Sequence, residues 1–139
     1  MSFEYTTEVA VRYADVDTYG HVNNAVYATY VEEARIDYLS DVVTDGETLL
    51  ADDESETGIV VANLELDFER PVRLRESVTV AVRVPRLGGK SFPMEYEVRT
   101  DGAVAATGET TIVAYDREEG AARPIPDDWR DAITAFEGL

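Results

Sequence analysis

The sequence of 139 residues contains no cysteine and a single histidine, His21. The absence of cysteine excludes disulfide bonds, thiolate nucleophiles and metal sites with cysteine ligands. A zinc site is not expected either, because such sites usually take several histidine or cysteine ligands. We therefore expect neither a bound metal nor a resident cofactor.

Lysine is almost as scarce, since eleven of the twelve basic residues are arginine and only Lys90 is a lysine. The 29 acidic residues give the chain a formal net charge of −17. Such a surface repels nucleic acid, whose binding relies on lysine and arginine at the phosphates. The carboxylates are spread along the whole chain, which is typical of proteins from salt-loving archaea, where molar salt screens self-repulsion. An ordinary acidic bacterial protein is the alternative.

Long hydrophobic runs are also missing. The N-terminal segment MSFEYTTEV has neither the basic nor the apolar part of a secretory signal. The uncharged segment 18–31 is short and rich in asparagine, threonine and tyrosine, unlike a membrane span. We therefore expect a cytoplasmic protein without membrane contact. A hydrophobic content of 45% at this length predicts one domain, residues 1–139, with a real core.

Five segments have the pattern of β-strands, with alternating apolar residues or the β-branched residues that strands favour. They are residues 7–14, 58–68, 77–84, 90–100 and 103–115. Asp101-Gly102 is a strong hairpin signal between the last two. Pro93 predicts that its strand starts at an edge or a bulge. The acidic residues 41–57 are expected to form a mobile loop.

A long helix is predicted over about residues 24–40, after a loop at 15–22. Asn23 is a plausible N-cap, and Glu32 and Arg35 have the spacing of an ion pair. The apolar positions form one stripe at helical spacing: Tyr27, Tyr30, Val31, Ala34 and Tyr38. A second, shorter helix is predicted behind an aspartate cap near the C-terminus, with Trp129, Ile133 and Phe136 at helical spacing.

This order of elements predicts the fold class. A single amphipathic helix cannot cover both faces of five strands, so we expect an α+β fold in which a curved antiparallel sheet wraps the helix. The uncovered face and edge of that sheet would favour association of two or more copies.

The segment RYADVDTYGHVNNAVYATYVEEAR, residues 12–35, resembles the signature of the hot-dog-fold acyl-CoA thioesterases of the 4-hydroxybenzoyl-CoA thioesterase group. The residues that match are Tyr13, Asp15, Asp17, Gly20, Asn24, Tyr27, Glu32, Ala34 and Arg35. Weaker matches follow at Phe68–Pro71, Lys90-Ser91 and Ile125-Pro126. The resemblance implies a hot-dog fold, a homodimer or homotetramer, and hydrolysis of an acyl-CoA substrate without metal or cofactor.

Thioester hydrolysis needs a base or nucleophile for the acyl carbon and a donor for the developing oxyanion. A helix N-terminus can be that donor, because its first N–H groups are free and lie at the positive end of the dipole. The resemblance assigns the carboxylate to Asp17, as nucleophile or general base, and the donor to the amide of Asn24. Asp15 is expected to bond loop N–H groups instead, and Glu32 is the less favoured alternative base.

Further residues are predicted to contact the substrate: Gly20, His21, Asn23, Tyr27, Asn63, Arg86, Lys90 and Ser91. Several of these also have plain structural interpretations. Gly20 fits a position of unusual backbone conformation, His21 could hydrogen-bond within the loop or to a neighbouring subunit, and Tyr27 belongs to the core stripe.

The Gly88-Gly89 turn is the predicted contact for the phosphates of coenzyme A. Arg86 precedes this turn and Lys90 follows it, which places two cations at one hairpin. Arg123 is a weaker candidate. The alternative for Lys90 is an ordinary solvated side chain.

Two other functions stay open. (R)-specific enoyl-CoA hydratases share the fold and carry a pattern that resembles Asp-x-Asn-Pro-x-His. Here Asp17 and His21 are four positions apart rather than five, and Thr18-Tyr19-Gly20 replaces the Asn-Pro segment. A non-catalytic acyl-binding module would keep the pocket and the dimer without needing Asp17.

Overall fold

The computed structural model describes residues 2–43 and 57–139. The elements are β1 Tyr5–Val9, α1 Asn24–Tyr38, β2 Thr57–Phe68, β3 Val78–Arg83, β4 Ser91–Thr100, β5 Ala103–Asp116, β6 Ala121–Ala122 and α2 Asp127–Glu137. A 3-10 turn, Tyr13–Asp15, precedes α1, and a π turn, Leu39–Val43, follows it. Most of the loop predicted at 41–57 lies outside the described residues.

All the strands belong to one antiparallel sheet with the order β1-β3-β4-β5-β2, and the short β6 pairs with β5. Helix α1 packs on β1, β3 and β4. Its stripe is buried there, as the spacing predicts: Tyr27, Tyr30, Val31, Ala34 and Tyr38. The prediction of a curved antiparallel sheet around a long helix, with a short C-terminal helix, is confirmed.

Strand β2 forms an edge of the sheet and has a bulge at Ala62. The register passes from Val61 opposite Ile112 to Asn63 opposite Thr111, so Ala62 is the extra residue. Directly opposed residues of an antiparallel pair point to the same face. Ile112 and Thr110, the partners of Val61 and Leu64, are both fully buried. The bulge therefore turns Val61 and Leu64 to the inner face.

From Ile59 onward the inner face of β2 is apolar. Its residues are Ile59, Val61, Leu64, Leu66 and Phe68, which we call the β2 stripe. Val61, Leu64 and Phe68 are 39%, 43% and 45% exposed. The stripe is exposed because α1 packs mainly on the other half of the sheet.

The first predicted strand is wrong at both ends, because β1 starts at Tyr5 and stops at Val9 rather than running over 7–14. The chain turns soon after β1, where Arg12 N–H donates to the Asp15 carboxylate at 2.9 Å. Tyr13 therefore lies in the 3-10 turn with its side chain 85% exposed, not on a strand face.

The strand that contains Pro93 starts at an edge, as predicted. Strand β4 is central over most of its length, but its ladder with β3 reaches only Glu95, so Pro93 is paired in register with Thr111 alone. The missing N–H of proline is tolerated on the open side.

The predicted aspartate cap of the second helix is wrong, because helix α2 has Pro126 at its N-cap position. Asp127 and Asp128 lie in the first turn, where their negative charges interact favourably with the positive end of the helix dipole.

Glu137 ties the last turn of α2 to the rest of the fold. Its carboxylate accepts hydrogen bonds from the Tyr38 hydroxyl at 2.8 Å and from Val84 N–H at 2.6 Å. Burial, together with this carboxylate, raises the pKa of Tyr38, so the hydroxyl stays protonated and remains a donor.

We expect Glu137→Ala to lower the free energy of unfolding by about 1–3 kcal/mol, because two part-buried donors lose their acceptor. Denaturant unfolding in molar KCl measures this change. Asp131→Ala is the matched control, since it removes a carboxylate from the same helix that makes no side-chain hydrogen bond to the described residues. Equal losses in both variants would show that the hydrogen bonds of Glu137 contribute nothing.

Candidate active site

The loop before α1 is a tight turn fixed by backbone hydrogen bonds. Asp17 N–H donates to the His21 carbonyl at 2.9 Å, and Gly20 N–H donates to the Asp17 carbonyl at 3.1 Å. Gly20 has a φ of +84°, in the left-handed region that favours glycine, and a Cβ there would meet nothing within 4 Å. Backbone conformation rather than space therefore accounts for this glycine, as its structural interpretation from the sequence predicts.

Asp15 holds the loop against the helix. Its Oδ2 atom accepts hydrogen bonds from Arg12 N–H at 2.9 Å and from the Tyr30 hydroxyl at 2.8 Å. Its carbonyl also accepts from Asn23 N–H at 2.9 Å. Burial and the Asp15 carboxylate raise the pKa of Tyr30, which keeps the hydroxyl protonated as a donor. Asp15 thus has the structural role expected from the sequence.

The carboxylate of Asp17 is oriented on one side and open on the other. Its Oδ1 atom accepts a hydrogen bond from Tyr19 N–H at 2.9 Å, an arrangement typical of an aspartate in a turn. Within residues 2–43 and 57–139, its Oδ2 atom has neither a hydrogen-bond partner nor an ion pair. This oxygen is therefore available to a substrate or a water molecule.

The N-terminus of α1 has a free donor next to its cap. The Asn23 side chain accepts a hydrogen bond from Ala25 N–H at 2.9 Å, and its carbonyl accepts from Val26 N–H at 2.8 Å, which confirms Asn23 as the N-cap. Asn24 N–H has no acceptor in the part of the chain that the structure describes. It lies at the positive end of the helix dipole, where an anion is stabilised.

Asp17 and the first residues of α1 line one cleft of about 690 Å³, which we call the Asp17 cleft. Its lining residues are Asp17, Tyr19, His21, Val22, Asn23, Asn24, Tyr27, Phe68, Glu69, Arg70 and Pro71. The Tyr27 ring packs edge-on against the Phe68 ring with centroids 5.1 Å apart, which gives the cleft an aromatic wall. Burial raises the pKa of Tyr27. The His21 side chain has no hydrogen-bond partner in the described part of the chain.

Five predicted site residues therefore meet in this cleft: Asp17, His21, Asn23, Asn24 and Tyr27. In the sequence, the wall at Phe68–Pro71 belongs only to the family pattern, and nothing marks Tyr19 as a site residue. Val22 N–H donates to the Val72 carbonyl at 2.8 Å, and this bond joins the segment of the wall to the loop before α1. No local sequence pattern predicts that bond, so the sequence offers no signal for the position of the wall.

The other predicted contacts lie elsewhere. Asn63 is on the outer face of β2, opposite to the β2 stripe. Arg86 and Ser91 line a separate cleft of about 190 Å³, and Lys90 lines neither cleft. Ser91 pairs with Val113 and Phe68 with Ala106, which places the two seven residues apart along β5, or about 23 Å. Within one protomer, the Lys90 hairpin is thus at the opposite end of the sheet from Asp17.

Two alternative candidates are occupied by structural contacts. Glu32 lies 3.9 Å from the guanidinium of Arg35 and does not line the Asp17 cleft. Arg123 donates to the Thr57 hydroxyl at 2.6 Å and to the Pro124 carbonyl at 3.3 Å.

No cluster of three His, Cys, Asp or Glu side chains that could hold a metal occurs in residues 2–43 and 57–139. In the same residues, neither helix has the length and apolar character needed to cross a membrane.

Comparison with known proteins identifies the family. The model of the thioesterase-like superfamily matches residues 11–133. The long-chain acyl-CoA thioesterase FadM of Escherichia coli strain K12 is 28% identical over 129 residues, which cover 91% of this chain and 95% of that protein.

Solved structures agree with this match. A thioesterase of Thermus thermophilus complexed with coenzyme A and Zn has a TM-score of 0.82 and 38% identity, covering 99% of this chain and 96% of that one. The DHNA-CoA thioesterase of Staphylococcus aureus has a TM-score of 0.84 and 25% identity, covering 96% of this chain and 91% of that one.

These comparisons confirm the prediction of a thioesterase with a hot-dog fold. The narrower 4-hydroxybenzoyl-CoA thioesterase group, the salt-loving source and the cytoplasmic location stay predictions. The chain belongs to the thioesterase-like superfamily.

Proposed function

We propose that this protein hydrolyses acyl-CoA thioesters to a carboxylic acid and free coenzyme A, with Asp17 and the amide of Asn24 as its catalytic groups. One observation carries the assignment: Asp17 and Asn24 line the same cleft, and in residues 2–43 and 57–139 the Oδ2 atom of Asp17 and the N–H of Asn24 have no hydrogen-bond partner. The substrate class is supported by the similarity to the long-chain acyl-CoA thioesterase FadM and to the Thermus thermophilus thioesterase complexed with coenzyme A.

In this mechanism the thioester carbonyl oxygen points at Asn24 N–H, and the carbonyl carbon faces Asp17. The carboxylate either attacks this carbon, giving an anhydride that water then hydrolyses, or removes a proton from an attacking water. In both routes the C–S bond breaks and the thiolate of coenzyme A leaves. The helix N-terminus stabilises the negative charge on the carbonyl oxygen while it develops.

The same cleft supplies contacts for the part of the substrate next to the thioester. Tyr27 and Phe68 form an apolar wall for the acyl group. His21 lines the cleft with a side chain that other residues do not engage in the described part of the chain, so it remains a candidate substrate contact. Asn23 acts mainly through its cap, which fixes the start of the helix.

The homo-oligomer implied by the resemblance would assemble through β2. A long edge strand with an exposed apolar face is a template for pairing with another chain. Because a two-fold interface brings the same surface of each copy together, two β2 strands would pair antiparallel. The β2 stripe of each protomer would then be covered by its partner. This contact serves a dimer and equally a tetramer built from dimers.

Such a dimer would also change the position of the Lys90 hairpin relative to the cleft. Antiparallel pairing sets the Thr57 end of one β2 against the Phe68 end of the other. The hairpin that carries Arg86 and Lys90 lies at the Thr57 end of the sheet. Any contact of this hairpin with coenzyme A would therefore be made across the dimer.

The proposed function is tested by thiol release from a panel of acyl-CoA substrates in molar KCl. We expect free coenzyme A to appear with at least one acyl chain length. Hydration of crotonyl-CoA without thiol release would instead identify a hydratase. Tight acyl-CoA binding without either reaction would identify a non-catalytic binding module.

A further inference from the structure

A second cleft adjoins the first. It has a volume of about 380 Å³ and is lined by Arg70, Pro71, Arg73, Glu76, Thr100 and Asp101. Arg70 and Pro71 also line the Asp17 cleft, so the two clefts meet at these residues. A ligand whose reacting end lies at Asp17 can therefore extend past Pro71 into the second cleft.

In the part of the chain that the structure describes, the two arginines of this second cleft have no carboxylate partner. Neither Arg70 nor Arg73 forms an ion pair within residues 2–43 and 57–139, although the chain has 29 acidic residues. By contrast, other arginines of the chain are paired with glutamates: Arg35, Arg83 and Arg99. Glu76 lines the same cleft, but its carboxylate accepts from the Thr100 hydroxyl at 2.8 Å instead.

The absence of a partner matters because of the net charge. At −17 the protein's overall field repels an anionic ligand, so any phosphate must be bound by local cations. A guanidinium is well suited to this, since its N–H groups match the oxygens of a phosphate in a two-point contact. Both arginine side chains are exposed and accessible from solvent.

We propose that Arg70 and Arg73 bind the phosphate at the end of the pantetheine arm of the substrate. This inference rests on the proposed function, since it takes the thioester to lie at Asp17. The phosphate is common to coenzyme A and to the phosphopantetheine carried by an acyl carrier protein. The subsite belongs to the same protomer as the catalytic carboxylate, which distinguishes it from the Lys90 hairpin.

The first test is kinetic and uses three substrates with one acyl group: acyl-CoA, acyl-phosphopantetheine and acyl-pantetheine, which has no phosphate. We expect Arg73→Gln and Arg70→Gln each to raise KM about tenfold for the two phosphate-bearing substrates, the effect of one lost charge-assisted contact. For acyl-pantetheine we expect no change from Arg73→Gln. The same acyl group carried by an acyl carrier protein, as a fourth substrate, shows whether the phosphate of carrier-bound phosphopantetheine uses the subsite as the phosphate of coenzyme A does.

Arg75→Gln is the matched control, because Arg75 is an exposed arginine of the same segment that lines neither cleft. It removes the same charge from the same region. If Arg75→Gln and Arg73→Gln raised KM equally, a general field effect would replace the subsite. If Arg73→Gln raised KM for acyl-pantetheine as much as for acyl-CoA, its role would be structural.

A binding measurement separates this inference from the proposed function. Titration calorimetry of coenzyme A and of pantetheine with the unmodified protein and with Arg73→Gln requires no turnover. Coenzyme A binding that weakens about tenfold in Arg73→Gln, with pantetheine binding unchanged, supports the subsite even if no thioester is hydrolysed. Coenzyme A binding that does not depend on Arg70 or Arg73 overturns the subsite, whatever the hydrolytic activity.

Discussion

Asp17→Asn is expected to lower kcat for acyl-CoA hydrolysis at least ~10²-fold, the low end for the loss of a general base. The substitution removes the negative charge and basicity of the open oxygen. It keeps an oxygen that can accept the hydrogen bond from Tyr19 N–H, so the turn should retain its shape. We therefore expect KM to change little. Steady-state thiol release, with unfolding measured in parallel, gives both quantities.

Two neighbouring carboxylates serve as controls. Asp15→Asn should cost less in rate and more in stability, because Asp15 accepts hydrogen bonds from Arg12 N–H and from the Tyr30 hydroxyl. Glu32→Gln should leave kcat nearly unchanged, since Glu32 lies outside the Asp17 cleft. Near-normal turnover in Asp17→Asn together with loss of turnover in Glu32→Gln would move the catalytic carboxylate to the helix.

Leu64→Lys is expected to convert the oligomer to a monomer. Leu64 lies in the middle of the β2 stripe, and the proposed interface would bury its side chain. A lysine there would bury an unpaired charge in an apolar interface, and the free-energy cost of that burial would outweigh the stabilisation by the interface. Light scattering in molar KCl measures the mass. Activity should fall with the mass, because Phe68 at the end of this strand lines the cleft.

Val60→Lys is the control for this experiment. Val60 is on the same strand, is similarly exposed at 42% and undergoes the same change of charge, but it points to the outer face. We expect it to keep the oligomer. Dissociation by both variants would show only that positive charge on the edge disrupts pairing, and a monomeric unmodified protein would contradict the proposed interface.

Local patterns predicted the elements well where one physical rule dominates. The stripe of α1 is an example, since a repeat near 3.6 residues has few alternatives over fifteen residues. The Asp101-Gly102 turn is another, because its φ values of 50° and 76° are those that a two-residue hairpin requires. Each of these predictions depends only on neighbours in the chain.

Features that depend on distant residues could not be found this way. Strand β1 ends early because its last residue, Val9, pairs with Val78, the first residue of β3. Pro93 is tolerated in a central strand because β3 stops at Arg83, opposite Glu95. Neither register is visible in a single sequence.

The residues of the candidate site differ in the same way, since some depend on chain neighbours and others on distant strands. Asp17, His21 and Asn24 are close in sequence, so one turn and one helix start bring them together and the motif could be recognised. Phe68 ends strand β2 about fifty residues later and Arg70 follows it, and only the register of the sheet places them in the cleft. The Lys90 hairpin was a reasonable prediction from charge alone, but its distance from Asp17 depends on the length of β5.

The bulge at Ala62 determines how β2 would respond to a change in chain length. Side chains alternate between faces, so removing one residue moves everything beyond it to the opposite face. Deleting Ala62 is the exception, because it removes the extra residue and leaves Val61 and Leu64 two positions apart, so both would still face inward in a regular register with β5. Deleting Glu65 instead would turn one part of the strand to the other face, and if that part included Phe68 the wall beside Tyr27 would be lost. A single deletion beyond the bulge would thus reach the Asp17 cleft, whereas loss of Ala62 would leave the side chains of both halves on their present faces.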